Sequence, residues 1–408
     1  MDTSGTTPDA SPPTSGPTSG QASAPITTTA ALTELCARLA GHDYIAIDTE
    51  FMRETTYYAK ICLIQVASSD EAASIDPLAK GLDLTPLFEL MRNPDVLKVF
   101  HAGRQDLEIF VHMMGELPAP CYDSQIAAMV CGFGDQVGYD KLVHGFLNIT
   151  IDKGSRFTDW SQRPLTEKQI HYALNDVIYL EQIYPMMMAR ITDAGRDTWL
   201  DEEMAVLADI SIYQVNPDDA WRKVKQRGSK PPVLNRIKHL AAWRERQAQR
   251  RDVPKSRLIK DDTLMAIAVG NPADANALGR IRGFPGGTNG KLIPEIMKVL
   301  NDANATPKDD WPELPAPPTR RPSPSVVDIL RVLLKHVTDS NGIAPRLIAN
   351  ADDLEKIALG QYDSVKAMHG WRYDIFGKPA EDVIAGKLAI TIKGKSTKLI
   401  PVDDDKAG

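Results

Sequence analysis

From residue 29 to about residue 210, short apolar runs alternate with stretches of helical periodicity. The apolar runs predict strands at Tyr44–Asp48, Ile61–Ser68, Ala72–Ile75 and Leu97–His101, with a short fifth at Cys121–Asp123. In the first of these, period-two alternation sets Ile45 and Ile47 on one face and Ala46, Asp48 and Glu50 on the other. Helical spacing follows at Leu84–Arg92, Arg104–Met114 and Ser124–Cys131, and then runs from Thr166 to about Ala194. Thr166-Glu167-Lys168-Gln169 opens this last helix with an N-cap residue and a first-turn acid. Strands first, then alternation with helices, predict an α/β domain around a mixed sheet.

Residues 215–300 read as all-helical, with Leu234, Ile237, Leu240, Ala241 and Ala248 near helical spacing and Arg236, Arg246 and Arg250 elsewhere on the helix. Residues 305–324 contain seven prolines and read as a linker. Helical periodicity returns with Val326, Ile329, Leu330, Leu333, Leu334 and Val337 and continues to about residue 393. The two helical segments share a pattern. Leu258 to Ala268 is echoed by Leu347-Ile348 and Asp352 to Ala358, as a duplicated helical domain would be. The divisions expected are a disordered tail at 1–28, an α/β domain at 29–212, helical domains at 213–300 and 325–393, a Pro-rich linker at 301–324 and a C-terminal tail at 394–408.

The tail expectation rests on composition, because residues 1–24 are almost entirely Ser, Thr, Pro, Gly, Ala and Asp and lack the apolar surface that ordering requires. No run of 18 apolar residues occurs, and no basic segment precedes an apolar stretch at the N-terminus, so neither a membrane span nor a secretory leader is expected. Cys36, Cys62, Cys121 and Cys131 form no CxxC pair and read as reduced thiols of a cytoplasmic protein. Net charge is −7, which argues against non-specific nucleic-acid binding by the whole chain. Charge is segregated, however. Residues 222–260 hold 14 Lys or Arg against Glu245 and Asp252, or +12, leaving −19 on the rest. A basic module attached to an acidic body can meet a polyanion locally.

The candidate chemistry is carboxylate. Asp48 and Glu50 project from the end of one strand. With 54 acids among 408 residues, acids two apart recur by chance, so the pair alone is weak. Asp106 falls in the first turn of the helix after His101-Ala102-Gly103, where an acid also complements the helix dipole. Tyr172 and Asp176, four apart in the long helix, share a face. Together these elements can converge on one pocket. Four like charges raise each other's pKa, and divalent cations remove the conflict; all-oxygen ligands favour Mg²⁺ or Mn²⁺. Two such ions about 4 Å apart suit phosphodiester cleavage.

At these residues the chain resembles the ribonuclease D family, 3′-5′ exoribonucleases of the DEDD superfamily. Asp48-Thr49-Glu50-Phe51, His101 to Asp106 and Tyr172 to Asp176 resemble its three motifs, the tyrosine marking the DEDDy branch. Trp160 to Leu165 and Tyr122-Asp123-Ser124 are similar to it as well. Leu240 to Arg244, Val253-Pro254 and Leu258 to Ala268 resemble an HRDC nucleic-acid-binding domain, and Leu347-Ile348 with Asp353-Leu354 resemble a degraded second copy. The resemblance implies a ribonuclease H-like α/β exonuclease domain, with a mixed five-stranded sheet flanked by helices, followed by two all-α HRDC domains.

It also implies catalytic residues Asp48, Glu50, Asp106, Tyr172 and Asp176 and two divalent ions. Asp48 would bridge both ions, Glu50 and Asp176 would complete one site, Asp106 would serve the second partly through water, and Tyr172 would position the attacking water. The implied activity is trimming of tRNA precursors and other small structured RNAs to nucleoside 5′-monophosphates by a monomer, with RNA held in the active-site groove and on the basic helical segment. A DNA exonuclease uses the same chemistry and differs in lacking 2′-OH contacts. A non-catalytic adaptor would have lost a metal ligand, and all four acids are present. A glycosidase needs two acids, not four.

Overall fold

The computed structural model describes residues 24–151, 154, 158–225, 230–313 and 320–402. One five-stranded mixed sheet organises the first half. Its strands are β1 (Tyr44–Met52), β2 (Lys60–Ala67), β3 (Ala72–Ile75), β4 (Leu97–Phe100) and β5 (Cys121–Asp123), in the order β3-β2-β1-β4-β5. β1–β2 and β2–β3 are antiparallel, β1–β4 and β4–β5 parallel. β1 runs on past the predicted Asp48. Its backbone stays paired to β2 (Asp48 opposite Gln65, Glu50 opposite Leu63) although its side chains turn acidic, and a bulge falls between Glu50 and Phe51.

Alternation along β1 builds two cores. Ile45 and Ile47 pack with Leu32 and Leu35 of α1 (Thr29–Leu39), Leu87 and Leu90 of α2 (Thr85–Arg92), and Leu107 and Phe110 of α3 (Arg104–Met114). Ala46 faces the other way. It packs with Ala127 of α4 (Ser124–Val130), Val143 of α5 (Tyr139–Leu147), and Val177 and Leu180 of α6 (Glu167–Asp193). Thr166 caps α6 by accepting from the Gln169 N–H, and the Gln169 side chain accepts the Thr166 N–H at 3.0 Å.

The expected tail at 1–28 is corrected at its end. Ile26 bridges Ile75, its N–H donating to Ser74 O at 2.8 Å, because the outer edge of β3 offers unpaired backbone groups. The remainder of that tail, residues 1–23, lies outside the described residues.

After α7 (Asp201–Leu207) the first helical unit comprises α8 (Pro231–Arg251), α9 (Lys255–Leu258), α10 (Asp261–Gly270), α11 (Ala275–Gly279) and α12 (Ile293–Ala305). It has its own core, including Trp221, Leu234, Ile237, Leu240, Ile267 and Ile296. α12 enters the expected linker at 301–324, because Ala303 continues the buried stripe of Leu300 and the first proline beyond the helix is Pro307. Residues 314–319 of that linker lie outside the described residues.

The second unit holds α13 (Pro324–Asn341), α14 (Ala351–Ala358), α15 (Gly370–Arg372) and, after a π-helical turn at Tyr373–Gly377, α16 (Lys378–Ile384). Helix to 393 and a tail from 394 are both corrected, since β6 (Leu388–Lys393) and β7 (Ser396–Pro401) form an antiparallel hairpin. Leu-Ala-Ile-Thr-Ile-Lys alternates with period two, and Gly394 takes the left-handed turn position at φ +64°. Residues 403–408 lie outside the described residues.

The two helical units relate differently to the sheet domain. Val327, Leu330 and Leu334 of α13 share one continuous core with Ala127 of α4 and Met187 and Ile191 of α6. Trp199 stacks on Trp371 at 4.0 Å. The fully buried Arg372 pairs with Glu202 at 2.5 Å and Glu203 at 3.0 Å. The Arg196 guanidinium donates to Val130 O and Asn341 O, tying both sides together. The four cysteines are unpaired. Among the described residues no helix is long and apolar enough to cross a membrane.

Candidate active site

Carboxylates converge where β1 leaves the sheet. Asp48 and Glu50 share the α6 face of β1, and α6 crosses that face with Asp176. One carboxylate oxygen from each of Asp48, Glu50 and Asp176 lies within 4.8 Å of the other two. Tyr172, one turn before Asp176, lines the same cavity of about 300 Å³ as Asp48 and Asp176. Its ring sits 6.2 Å from that of the buried Trp160.

Asp106 arrives from the other side of β1. Between β4 and α3, Ala102 takes a left-handed conformation at φ +55°, a costly state for a residue with a Cβ. Asp123 holds it there, accepting the N–H groups of Ala102 and Gly103 at 3.0 Å each and that of Gln125 at 2.8 Å. A Cβ on Gly103 would fall 2.4 Å from Phe100 Cβ, so the chain passes there only without a side chain. The first turn of α3 then presents Asp106, whose carboxylate accepts the Thr49 hydroxyl. Turned toward Thr49, Asp106 stands outside the 4.8 Å group, while its charge still reaches Asp48 and Glu50.

Electrostatics follow from that crowding. Burial pushes the Asp176 carboxyl up to about 7. Burial, then Asp176 and Asp106, pushes Glu50 up to about 9. Burial raises Asp106 to about 6 against the lowering effect of the Thr49 hydroxyl. Asp48 is held well above the usual carboxylate range by burial first, then by Asp106, Asp176 and Glu50. Clustered oxygen donors that resist ionising together fit divalent cations, which neutralise them and accept an all-oxygen shell. His101 contributes no charge at neutral pH. Burial lowers it to about 4, and its Nδ1 sits 2.9 Å from the Ser124 hydroxyl.

The loop before α6 is locked by Arg163. Its guanidinium grips Asp76 at 2.7 Å through two nitrogens and donates to Cys62 O and Trp160 O. Trp160 to Leu165 is thus tied to β2 and to Asp76 just ahead of α6, with the Trp160 ring beside that of Tyr172. Sequence reading missed Gln125, Tyr139 and Asp140, which line the cavity. Tyr139 donates to Asn175 O at 3.1 Å, beside Asp176. Nothing in the local pattern of Gly138-Tyr139-Asp140 marks it, because the cavity wall forms only when α5 packs on α6.

Much of the +12 segment is spent internally. Arg222 pairs with Asp219, Arg246 with Asp218, Arg251 with Glu295 and Lys255 with Glu245. Arg244 is buried between Asp261 and Ile259 O, and Arg236 donates to Ala268 O. Trp243 is core, its indole N–H donating to Glu295 at 3.1 Å. Lys223, Lys225, Lys230, Arg250, Arg257 and Lys260 are exposed and make no ion pair among the described residues.

Known proteins are similar to this chain along most of its length. Residues 24–192 match the 3′-5′ exonuclease family and residues 233–300 the HRDC domain family. Ribonuclease D of Zymomonas mobilis is 46% identical over 378 residues, covering 91% of this chain and 96% of that protein. Ribonuclease D of Acidiphilium cryptum is 44% identical over 377 residues, covering 92% and 96%. The crystal structure of Escherichia coli RNase D, described as an exoribonuclease involved in structured RNA processing, superposes with a TM-score of 0.77 at 29% identity, covering 88% of this chain and 98% of that one. Identity at this level along nearly the whole of both chains places the protein in the ribonuclease D family of 3′-5′ exoribonucleases.

Proposed function

We propose that the protein trims the 3′ ends of tRNA precursors and other small structured RNAs in the cytoplasm, as a monomer, releasing one nucleoside 5′-monophosphate per step. The observation that carries this reading is the meeting of Asp48, Glu50 and Asp176 within 4.8 Å on a cavity that Tyr172 also lines. Asp48, Glu50 and Asp176 would hold one divalent ion, Mg²⁺ or Mn²⁺, and Asp48 with Asp106 a second, Asp106 partly through water. Bound there, such ions supply an activated water and charge neutralisation at the leaving 3′ oxygen. A free phenol is a poor base at neutral pH, and the role read for Tyr172 is to orient the attacking water.

Residues 325–393 are read as a second HRDC-like unit. Supporting this, α13, the turn at Pro345–Leu347 and α14 repeat the order of α8, α9 and α10. Among the described residues, the exposed Lys223, Lys225, Lys230, Arg250, Arg257 and Lys260 are the side chains of the basic segment left to meet RNA phosphates. Incubation with 3′-extended tRNA, with and without Mg²⁺, tests the activity. A ladder shortened by single nucleotides only with the ion is expected; internal cuts, or equal trimming in EDTA, would refute it.

A further inference from the structure

The first helical unit touches the connection that follows the two acids of β1. The connection between β1 and β2, residues 53–59, begins three positions after Glu50. On one side it is bound to α3, the helix that carries Asp106. Arg53 grips Glu108 through two nitrogens, at 2.6 and 3.1 Å, and the Tyr58 ring stacks on His112 at 3.8 Å. On the other side it is bound to α8. Asp252 Oδ1 accepts the backbone N–H groups of both Tyr57 and Tyr58 at 3.0 Å. The Tyr57 hydroxyl donates to Glu245, and Gln249 Nε2 reaches both that hydroxyl at 3.3 Å and Val215 O at 3.1 Å. Glu245 is 1% exposed and neutralised by Lys255 at 3.1 Å. Asp252 itself occupies the left-handed cap of α8 at φ +47°.

The register with β2 shifts just after Glu50, Cys62 being the extra residue, and pairing resumes at Phe51–Ile61 and Met52–Lys60, so Glu50 is joined to residue 53 by a paired stretch of only two residues. A bulge is where a strand pair bends and twists locally, so what holds 53–59 acts through that short paired stretch on the position of Glu50. The same unit spends Arg244, Arg246 and Arg251 on internal partners. We infer that this HRDC unit braces the acidic cluster, with Asp252 a positioning residue that sets Glu50 relative to Asp106 through the 53–59 connection. The inference rests on the reading of the cluster as a cation site and goes beyond it. A domain of a kind associated with nucleic-acid binding is here also part of the catalytic framework.

The test compares full-length wild type, Asp252→Ala and Asp252→Asn. Asparagine keeps an Oδ1 acceptor and tolerates the left-handed cap; alanine does neither. Mn²⁺ binding is followed by calorimetry, and turnover and KM are measured on a short single-stranded oligoribonucleotide. For Asp252→Ala, Mn²⁺ affinity should fall about tenfold, as for loss of a partner that orients metal ligands, and turnover should fall in parallel with KM little changed. Asp252→Asn should restore both.

Three results would each overturn the inference: Mn²⁺ affinity unchanged in Asp252→Ala while binding of structured tRNA weakens; a lowered melting temperature with affinity and turnover intact; or asparagine failing as alanine does. If Asp252→Ala does not fold, Tyr57→Phe, which removes the hydroxyl's bonds to Glu245 and Gln249, should lower Mn²⁺ affinity about threefold, and no change would overturn it equally. Wild type that binds no Mn²⁺, or Asp48→Asn that binds it as well as wild type, would sink the cation-site reading instead.

Discussion

Replacing Asp48 by asparagine should stabilise the metal-free protein, and increasingly so as pH rises. Every acid of the cluster is raised in the folded state. Its contribution to stability is therefore complete below its ordinary value and is lost as pH climbs through the folded value, about 6 for Asp106, about 7 for Asp176 and about 9 for Glu50. Asp48 is held well above the ordinary carboxylate range by burial and by Asp106, Asp176 and Glu50, so between its ordinary and its raised value it keeps when folded a proton that it releases on unfolding. One such proton costs about 1.4 kcal/mol for each pH unit of that window, or roughly 3–4 kcal/mol over two to three units. The cluster opens onto a cavity, so water and counterions reduce this to about 1–2 kcal/mol. For domains of this size that is a gain of about 3–6 °C in Tm.

Thermal melts in EDTA at about pH 5, 6.5 and 8 measure the difference between variant and wild type, which cancels the general effect of net charge. The gap should widen in the variant's favour with pH, and excess Mg²⁺ should close it by stabilising wild type more. A gap that is flat or narrows as pH rises would refute the account of crowded, proton-retaining carboxylates.

Tyr172→Phe should lower turnover by about 10²–10⁴-fold with RNA affinity little changed; equal losses in steady-state turnover and in filter binding would make the tyrosine a substrate-binding or a packing residue. Truncation after residue 313 should not yield a soluble exonuclease, because it strips Val327, Leu330 and Leu334 from the core shared with α4 and α6; a monodisperse, cooperatively melting fragment in size exclusion and calorimetry would contradict this. Arg372→Met should cost about 3 kcal/mol in denaturant unfolding, since Glu202 and Glu203 lose the buried cation between them, and a loss below about 1 kcal/mol would show the pair to be dispensable. Charge reversal at Lys230, Arg257 and Lys260 should flatten the salt dependence of tRNA binding by about 0.7–0.9 in slope for each phosphate no longer neutralised, whereas reversal at Arg246 and Arg251 should mainly lower stability; the opposite pattern would mean that the internal ion pairs open to meet RNA.

Much of the site was legible in the chain because its residues sit on regular elements. Period two along β1 separated Ile45 and Ile47 from Asp48 and Glu50, and both cores follow that division. A four-residue spacing placed Tyr172 with Asp176, and the cavity wall holds both. Family motifs in their order supplied the reason to join these distant fragments.

Charge was where sequence told least. Local composition marked 222–260 as a basic surface, but composition carries no information on partners. Only folding sets Asp218 against Arg246 and Glu295 against Arg251, from positions 28 and 44 residues away. The hairpin at the C-terminus was visible as alternation and was masked by the helical stretch before it.

Tertiary structure alone decided the rest. Asp106 turns to Thr49 because Asp123 pins the loop before α3, and the cavity closes because α5 packs on α6. The second helical unit fuses with the exonuclease core while the first keeps its own and grips the 53–59 connection. Sequence determines which face of each element is apolar, a local property of spacing. Which faces meet is settled by the burial that the whole chain can achieve at once, and no local pattern encodes that.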